Sequence, residues 1–463
     1  MHVTRRQWIS TASVAFAYAA MAGNVRAQTT ATPPVKLSPD QMREDLAYLR
    51  AQWAPRELSF SDPQRETFKQ VVDEAIAKVE TSSLADFALD VMRAVAIPRN
   101  GHTAALVGRL LGDLPVRMWW FADGLYVLSA HPSHVNLLGA RVDKLGTLSP
   151  DKALAKIAPY ISGTDQRIHY LSAVYLSYPA VLQRIGAIAD VSETPFTLRL
   201  RDGTSQTITL GATIEPDPGD PHDPVFRGWS ALIPDDKDLP NRWPHVLDSV
   251  DKRSPGYAKP TDFSTRWLDD GDKTFYIRSN SMLSQGQDRL DEKLLFGALQ
   301  NQVVPKQPHS VIIDLRLNNG GNFFNALLFS QALPKLMPGD GHIFVLISRA
   351  TFSAALATVA MLKGAGGDKV TLIGEPMGDN GRFWAEPDMM TLPNSKIAVF
   401  CSTKLEDYEH GCDDLSKCYW ATAAFGPKNI SLQPDIRVDV AFSDYEAGKD
   451  PVLAKALSLA AGL

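Results

Sequence analysis

At 463 residues, with 44% hydrophobic and 21% charged residues, the chain has the composition of an ordinary globular protein and not of a disordered one. At roughly 150 residues per domain it has room for two or three domains with ample core. A net charge of −5 provides no basic footprint for nucleic acid, and three cysteines exclude a disulfide framework.

Residues 1–27 read as a targeting segment. Thr4-Arg5-Arg6-Gln7-Trp8-Ile9 is a twin-arginine pattern, Val14 to Ala22 is apolar, and Val25-Arg26-Ala27 is a small-residue cleavage site. The rival is an uncleaved membrane anchor, but this apolar stretch is far shorter than the roughly 20 residues that span a bilayer. The expectation is a bacterial protein that folds before twin-arginine export. It would work in the periplasm or outside the cell, with no transmembrane span in the mature chain. Disulfides are permitted there. Cys412 and Cys418 are placed for a local bridge, while Cys401 and His410 offer no regular zinc-ligand spacing.

Residues 28–36 are a Thr- and Pro-rich tether. Ser38-Pro39-Asp40-Gln41 then has the form of a helix start, with Met42, Leu46 and Leu49 in helical period. Further helices are expected over about 63–80 and 83–95, where Leu84, Phe87, Ala88 and Met92 keep the spacing. Residues 28–102 thus form a helical cap. Residues 113–212 read as a small α+β module. In it, strands 116–120 and 125–128 flank Asp123-Gly124, a capped helix spans 149–157, and a hairpin turns at Asp202-Gly203. Residues 213–264, with Glu215-Pro216-Asp217-Pro218-Gly219 near their start, read as a linker or irregular connection. From 265 to 463 the pattern is α/β. Strands at 311–315, 343–347 and 370–373 alternate with helices at 322–333 and 353–362, which indicates βα units on a largely parallel sheet.

Two strand-to-helix turns have the makings of chemistry. Asn318-Asn319-Gly320-Gly321 follows the first of these strands. Its glycines permit a sharp turn with accessible N–H groups that suit an anion or oxyanion, or a tight structural turn. It lacks the spacing of a dinucleotide fingerprint. Ser348-Arg349-Ala350-Thr351-Phe352-Ser353 follows the second strand and places Ser353 at the start of a helix of small residues. A serine there usually caps the helix, but a nucleophile suits the same place because helix amides favour negative charge. A serine nucleophile needs a base. His102, in Asn100-Gly101-His102-Thr103 after the helical cap, is either that base or a surface residue.

At these residues the chain resembles the carboxyl-terminal processing (tail-specific) serine peptidases, in the branch related to the tricorn protease core and interphotoreceptor retinoid-binding protein. Asp314 to Gly321 matches D-L-R-x-N-x-G-G, Arg349 to Ala355 matches the segment around the catalytic serine, and Gly374-Glu375-Pro376 matches G-E-P. Leu432 to Ile436 matches the late x-P-D-I/V segment, and Asn100 to Thr103 resembles D-G-H-T. The resemblance implies a crotonase/ClpP-like α/β catalytic domain beside the helical cap, and a divergent PDZ-like module at 113–212. It implies a serine peptidase acting on polypeptides or peptides, with no metal or organic cofactor. Ser353 would be the nucleophile, His102 the base, and the Gly321 and Ala354 amides the oxyanion hole. Three departures stand out. Asn380 takes the place of the lysine in the Ser/Lys branch, Leu356 the place of an acid three residues after the serine, and Asn100 the place of the Asp before Gly-His-Thr. The orienting acid is open among Glu375, Glu406 and Glu409, with Glu375 preferred. Two rivals share the scaffold. One is a non-catalytic protein that binds apolar ligands among aromatic residues such as Trp119, Trp120, Phe323, Phe324, Phe383 and Trp384. The other is a small-molecule ester hydrolase.

Overall fold

A computed structural model describes residues 36–212, 231–235, 238, 241–258, 262–269, 271, 273–284 and 289–462. The targeting segment, nearly all of the tether and part of the 213–264 stretch lie outside the described residues. The chain begins with three helices whose starts are written locally. Ser38 and Gln41 form a capping box on α1 (Pro39–Tyr48), Ser61 and Gln64 one on α2 (Asp62–Ile76), and Ser83 accepts the Asp86 amide on α3 (Leu84–Ala96). The second helix stops at Ile76, short of the expected 80. The chain leaves it through tight turns in which Lys78 and Thr81 donate to the Ala75 and Lys78 carbonyls. A two-residue strand β1 (Ala105–Leu106) follows.

Next comes a five-stranded antiparallel sheet in sequential order: β2 (Val116–Phe121), β3 (Gly124–Ala130), β4 (Arg141–Leu145), β5 (Thr194–Arg199) and β6 (Ser205–Leu210). The β2–β3 and β5–β6 hairpins turn at Asp123-Gly124 and Asp202-Gly203, and Asp202 Oδ1 accepts the Thr204 amide at 2.8 Å. Between β4 and β5 lie α4 (Pro150–Ile157), α5 (Asp165–Tyr175) and α6 (Pro179–Arg184). The described part of the connection after β6 is packed against the body: Leu232, Trp243, Val246, Leu247 and Tyr257 are all buried.

The remainder is built on β7 (Phe263–Trp267), β8 (Thr274–Ser279), α7 (Leu290–Ala298), β9 (Ser310–Asp314), α8 (Phe324–Leu336), β10 (His342–Ile347), α9 (Ala354–Gly366) and β11 (Val370–Gly374). A long hairpin follows, β12 (Arg382–Thr391) with β13 (Ala398–Asp407), then α10 (Trp420–Phe425), β14 (Ile436–Arg437), α11 (Phe442–Glu446) and α12 (Pro451–Ala460). Six strands form one sheet in the order β14-β11-β10-β9-β8-β7, parallel except for β7. Helices cover both faces. Val311, Ile313, Ile343, Val345 and Ile347 pack towards α8 and α9, while Ile312, Phe344 and Leu346 pack towards α12. That two-sided burial is why these strands read as unbroken apolar runs. β1 adds to β13 and β12 to make a separate three-stranded sheet, with Ala105 opposite Val399. Cys412 and Cys418 form the local disulfide and Cys401 is a buried free thiol. Among the described residues no helix is long and apolar enough to cross a membrane.

The Asp314-Leu315-Arg316 motif proves to be a structural clamp. Arg316 Nε donates to Asp314 Oδ1 at 2.9 Å, and its two terminal nitrogens reach both Asp450 oxygens at 2.7 Å, which ties the start of α12 to the end of β9. Tyr276 adds a hydroxyl to Asp314 Oδ2 at 2.7 Å. Burial raises the Asp314 pKa, but Arg316 outweighs it and holds the carboxyl below its ordinary value. Its contribution to stability is therefore present above the unfolded pKa of about 3.9 and lost as pH falls through the lower folded value. Arg316→Leu leaves two buried carboxylates without a counter-charge and is expected to cost about 3–5 kcal/mol at pH 7. In urea titrations the gap between variant and wild type should shrink below about pH 4. A gap independent of pH would mean that lost packing, not lost charge, is the cause.

Candidate active site

Ser353 occupies the N-cap position of α9 but behaves unlike the other helix-starting serines. Ser38, Ser83 and Ser149 have extended backbones and each accepts a helix amide. Ser353 has φ 56° and ψ −126°, and its side chain caps nothing. Those angles belong to the first central residue of a type II′ turn, a position that selects glycine. A serine held there is strained, and strain of this kind gathers at functional sites. The hydroxyl is thereby lifted off its own helix.

Two loops hold the conformation. Phe352 N–H donates to the Asn318 carbonyl at 3.1 Å, and Thr351 Oγ1 donates to the Leu315 carbonyl at 2.8 Å. Asn318, buried, accepts the Gly320 amide at 2.8 Å and donates to the Ser279 carbonyl at 2.9 Å. Gly320, at φ 99°, lies directly on the serine: a methyl there would stand 2.6 Å from Ser353 Cβ and 2.9 Å from the Ala354 nitrogen. Gly321, at φ 140°, is pressed on the Met282 carbonyl, where a methyl would stand 2.2 Å away. The structure therefore packs Gly320 against Ser353 and Ala354, with Gly321 next in the chain, and the Gly321 and Ala354 N–H groups make no hydrogen bond among the described residues.

His102 reaches the same place from the end of α3. Its loop is fastened by a buried network: Asn100 Nδ2 donates to Ser402 Oγ at 2.7 Å, Thr103 Oγ1 donates to Glu57 Oε2 at 2.7 Å, and the Trp384 amide donates to Asn100 Oδ1 at 3.2 Å. Asn100 thus spans the loop, β12 and β13; an isosteric Asp could accept the Trp384 amide but would lack the amide donor to Ser402. The imidazole stacks on Phe352 at 4.4 Å and on Phe383 at 5.4 Å between ring centroids, and neither ring nitrogen makes a hydrogen bond. It lies beside the residue preceding Ser353, but makes no hydrogen bond to the serine. Burial, helped by Arg167 and only partly opposed by the Trp384 carbonyl, drives its pKa down to about 3. A lowered folded pKa stabilises above the unfolded value of about 6.5 and loses that stabilisation as pH falls. His102→Phe, which keeps the stack, should therefore gain in Tm over wild type as pH drops from 6.5 towards 3. Parallel melting curves would show otherwise.

Helix α5 was not legible in the sequence, yet it clamps both turns. Arg167 donates to Asn319 Oδ1 at 2.8 Å and lies 4.0 Å from the Phe352 centroid. Tyr170 accepts from Asn319 Nδ2 at 2.8 Å, and Thr164 Oγ1 donates to the Gly378 carbonyl at 2.9 Å. Its signal was Thr164 as N-cap with Ile168, Leu171 and Tyr175 at helical spacing. The flanking Ser162-Gly163 and Pro179 obscured it.

The three acids considered from sequence are differently engaged. Glu375 pairs with Arg349, Nε to Oε2 at 3.0 Å, and Arg349 in turn bonds His169 at 2.8 Å. Glu409 accepts the Gly381 amide at 3.1 Å. Glu406 sits opposite Phe383 in the β12–β13 register and accepts from Tyr408 at 2.6 Å and Thr422 at 3.2 Å. Burial pushes Glu406 up to about 7. Asn380, in the lysine's place, is exposed. Among the described residues no group of three or more His, Cys, Asp or Glu is arranged to hold a metal ion.

No family model and no curated protein matches the chain. Among solved structures, mature CPAF complexed with lactacystin aligns over 91% of this chain and 98% of its own at 13% identity, with a TM-score of 0.53. A CPAF mutant aligns over 91% and 96% at 13% identity, with a TM-score of 0.55. The photosystem II D1 C-terminal processing protease aligns over 88% and 94% at 11% identity, with a TM-score of 0.35. At such identity the CPAF alignments show a shared fold, over nearly the whole of both chains.

Proposed function

We propose that the chain is a serine peptidase that hydrolyses peptide bonds of unfolded proteins or peptides, of the carboxyl-terminal processing type. One observation carries the reading: a serine at a helix start, strained to φ 56° and capping nothing, with the Gly321 and Ala354 amides uncommitted among the described residues. Ser353 Oγ attacks the scissile carbonyl while its proton passes to His102. The oxygen that becomes negative is received by the Gly321 and Ala354 N–H groups, an arrangement in which one donor is typically worth about 10²–10³ in rate. His102 then protonates the leaving amine, and water resolves the acyl-enzyme by the same route in reverse. For this the imidazole must turn from its aromatic stack towards the serine. Catalytic hydrogen bonds of this kind commonly tighten only with substrate bound.

The CPAF-like fold supports the crotonase/ClpP-like reading of the region from β7 onwards, and the five-stranded antiparallel unit is read as the PDZ-like module. Twin-arginine export to an oxidising compartment fits the Cys412–Cys418 bridge. The test is a fluorophosphonate probe on the purified mature protein, with the adduct located by peptide mass spectrometry. Labelling confined to Ser353, with turnover of an unfolded protein, supports the peptidase. A folded protein that neither labels nor cleaves would be a binding protein on this scaffold.

A further inference from the structure

The loop between β11 and β12 carries Gly378-Asp379-Asn380-Gly381, and Asp379 has no part in the mechanism above. Its Oδ1 accepts the Asn380 amide at 3.0 Å, while its Oδ2 is buried and makes no hydrogen bond. That oxygen lies against the histidine loop. A methyl built on Gly101 would stand 3.1 Å from Asp379 Oδ2 and 2.7 Å from the Phe352 ring. His102 is the next residue, stacked on that ring, with both nitrogens buried and unpaired. A carboxylate oxygen without a donor and an imidazole with no well-formed hydrogen bond, on which the Trp384 carbonyl acts only weakly, are thus lodged around one phenyl ring, immediately before Ser353. Buried polar groups are nearly always paired, so two complementary exceptions side by side need a reason. The three glutamates weighed for this role from the sequence already have partners: Glu375 holds Arg349, Glu406 holds Tyr408 and Thr422, and Glu409 holds Gly381.

We propose that Asp379 is the positioning residue for His102. As the imidazole turns from the stack towards Ser353, one ring N–H is received by Asp379 Oδ2, which leaves the lone pair of the other nitrogen facing the serine hydroxyl. The assignment rests on the reading of Ser353 as nucleophile and His102 as base. The serine proton moves to the free ring nitrogen. The proton facing Asp379 stays on the ring, and the carboxylate steadies the resulting imidazolium without being protonated. The charged groups that act on Asp379 are Arg167 from α5 and Glu406 from β13. Burial, against the Asn380 amide and Arg167 and with Glu406, pushes its carboxyl up to about 7. The ionised form therefore fills in as pH rises through that value, where His102 is already neutral.

The experiment measures kcat, KM and fluorophosphonate labelling of Ser353 between pH 5 and 9 for wild type, Asp379→Asn, Asp379→Glu, His102→Ala and the double variant His102→Ala/Asp379→Asn. Asp379→Asn should lower kcat and labelling rate by about 10²–10⁴-fold with little change in KM, and should lose the acid limb near pH 7. Asp379→Glu should regain part of that loss. The double variant should be no slower than His102→Ala, because residues acting as a unit are not additive. Asp379→Asn with wild-type rates overturns the assignment while leaving Ser353 in place. So does a further loss on top of His102→Ala. A wild-type protein that never labels on Ser353 overturns the nucleophile reading, and this assignment with it.

Discussion

Ser353→Ala is expected to lower turnover of an unfolded protein by about 10⁵–10⁶-fold and to remove fluorophosphonate labelling, while the protein stays folded. The hydroxyl makes no cap, so its loss removes no helix-stabilising bond. Alanine inherits φ 56°, so the strain remains and the Tm should hardly move. Ser353→Gly is equally inactive but accepts that φ without strain. Against the greater entropy of a glycine in the unfolded chain, it should still melt higher than Ser353→Ala, by about 1 kcal/mol at most. Thermal melts of the two variants measure the difference. If the alanine variant is markedly less stable than wild type, the serine is a structural cap and the nucleophile reading fails with it.

Gly320→Ala is the second large effect. Its φ of 99° is one that L side chains rarely adopt, and its new methyl would meet Ser353 Cβ at 2.6 Å, the Phe352 carbonyl at 2.8 Å and the Ala354 nitrogen at 2.9 Å. None of these is the free end of a flexible chain, so the two turns must move apart. The Ala354 amide and the serine would lose their mutual placement, and a misplacement of about 1 Å at reacting groups can cost 10²-fold. A loss of at least that size in kcat is expected, together with a lowered Tm. The contrast is Gly112→Ala, where nothing lies within 4 Å. There φ is 71°, so some loss of stability is expected but no loss of kcat. Equal kcat in both variants would dissociate the Gly320 turn from the chemistry.

Much of the scaffold was legible because its signals are local. β9, β10 and β11 are buried on both faces and so are apolar throughout. Ser38, Ser61, Ser83 and Ser149 start helices with motifs of four residues. Glycine turns mark the hairpins. What failed was what had no local period. α5 buries residues all round its short length and begins after a Gly-containing turn, so its amphipathic signal is weak. The β12–β13 hairpin, with the positive φ of Glu386 interrupting its register, shows no clean alternation. The Asp314-Leu315-Arg316 motif was visible as a string, but its work as a clamp depends on Asp450, far away in the chain.

The same division applies to the site. Sequence alone determined that a serine stands at the start of an apolar helix, that two glycines follow a buried strand, and that a loop histidine closes a helical cap. Strand burial, helix caps and glycine turns are written within a few neighbouring residues. Only the tertiary structure decided that the Ser353 position is strained and uncapped, that Gly320 lies on its Cβ, that Glu375 belongs to Arg349, and that Asp379 and His102 stand unpaired around Phe352. Those facts depend on which loops meet. Loops from α3, β9, β10 and β11 meet because helices and sheet bury their apolar faces together, and that packing leaves no periodic trace in the loops it joins.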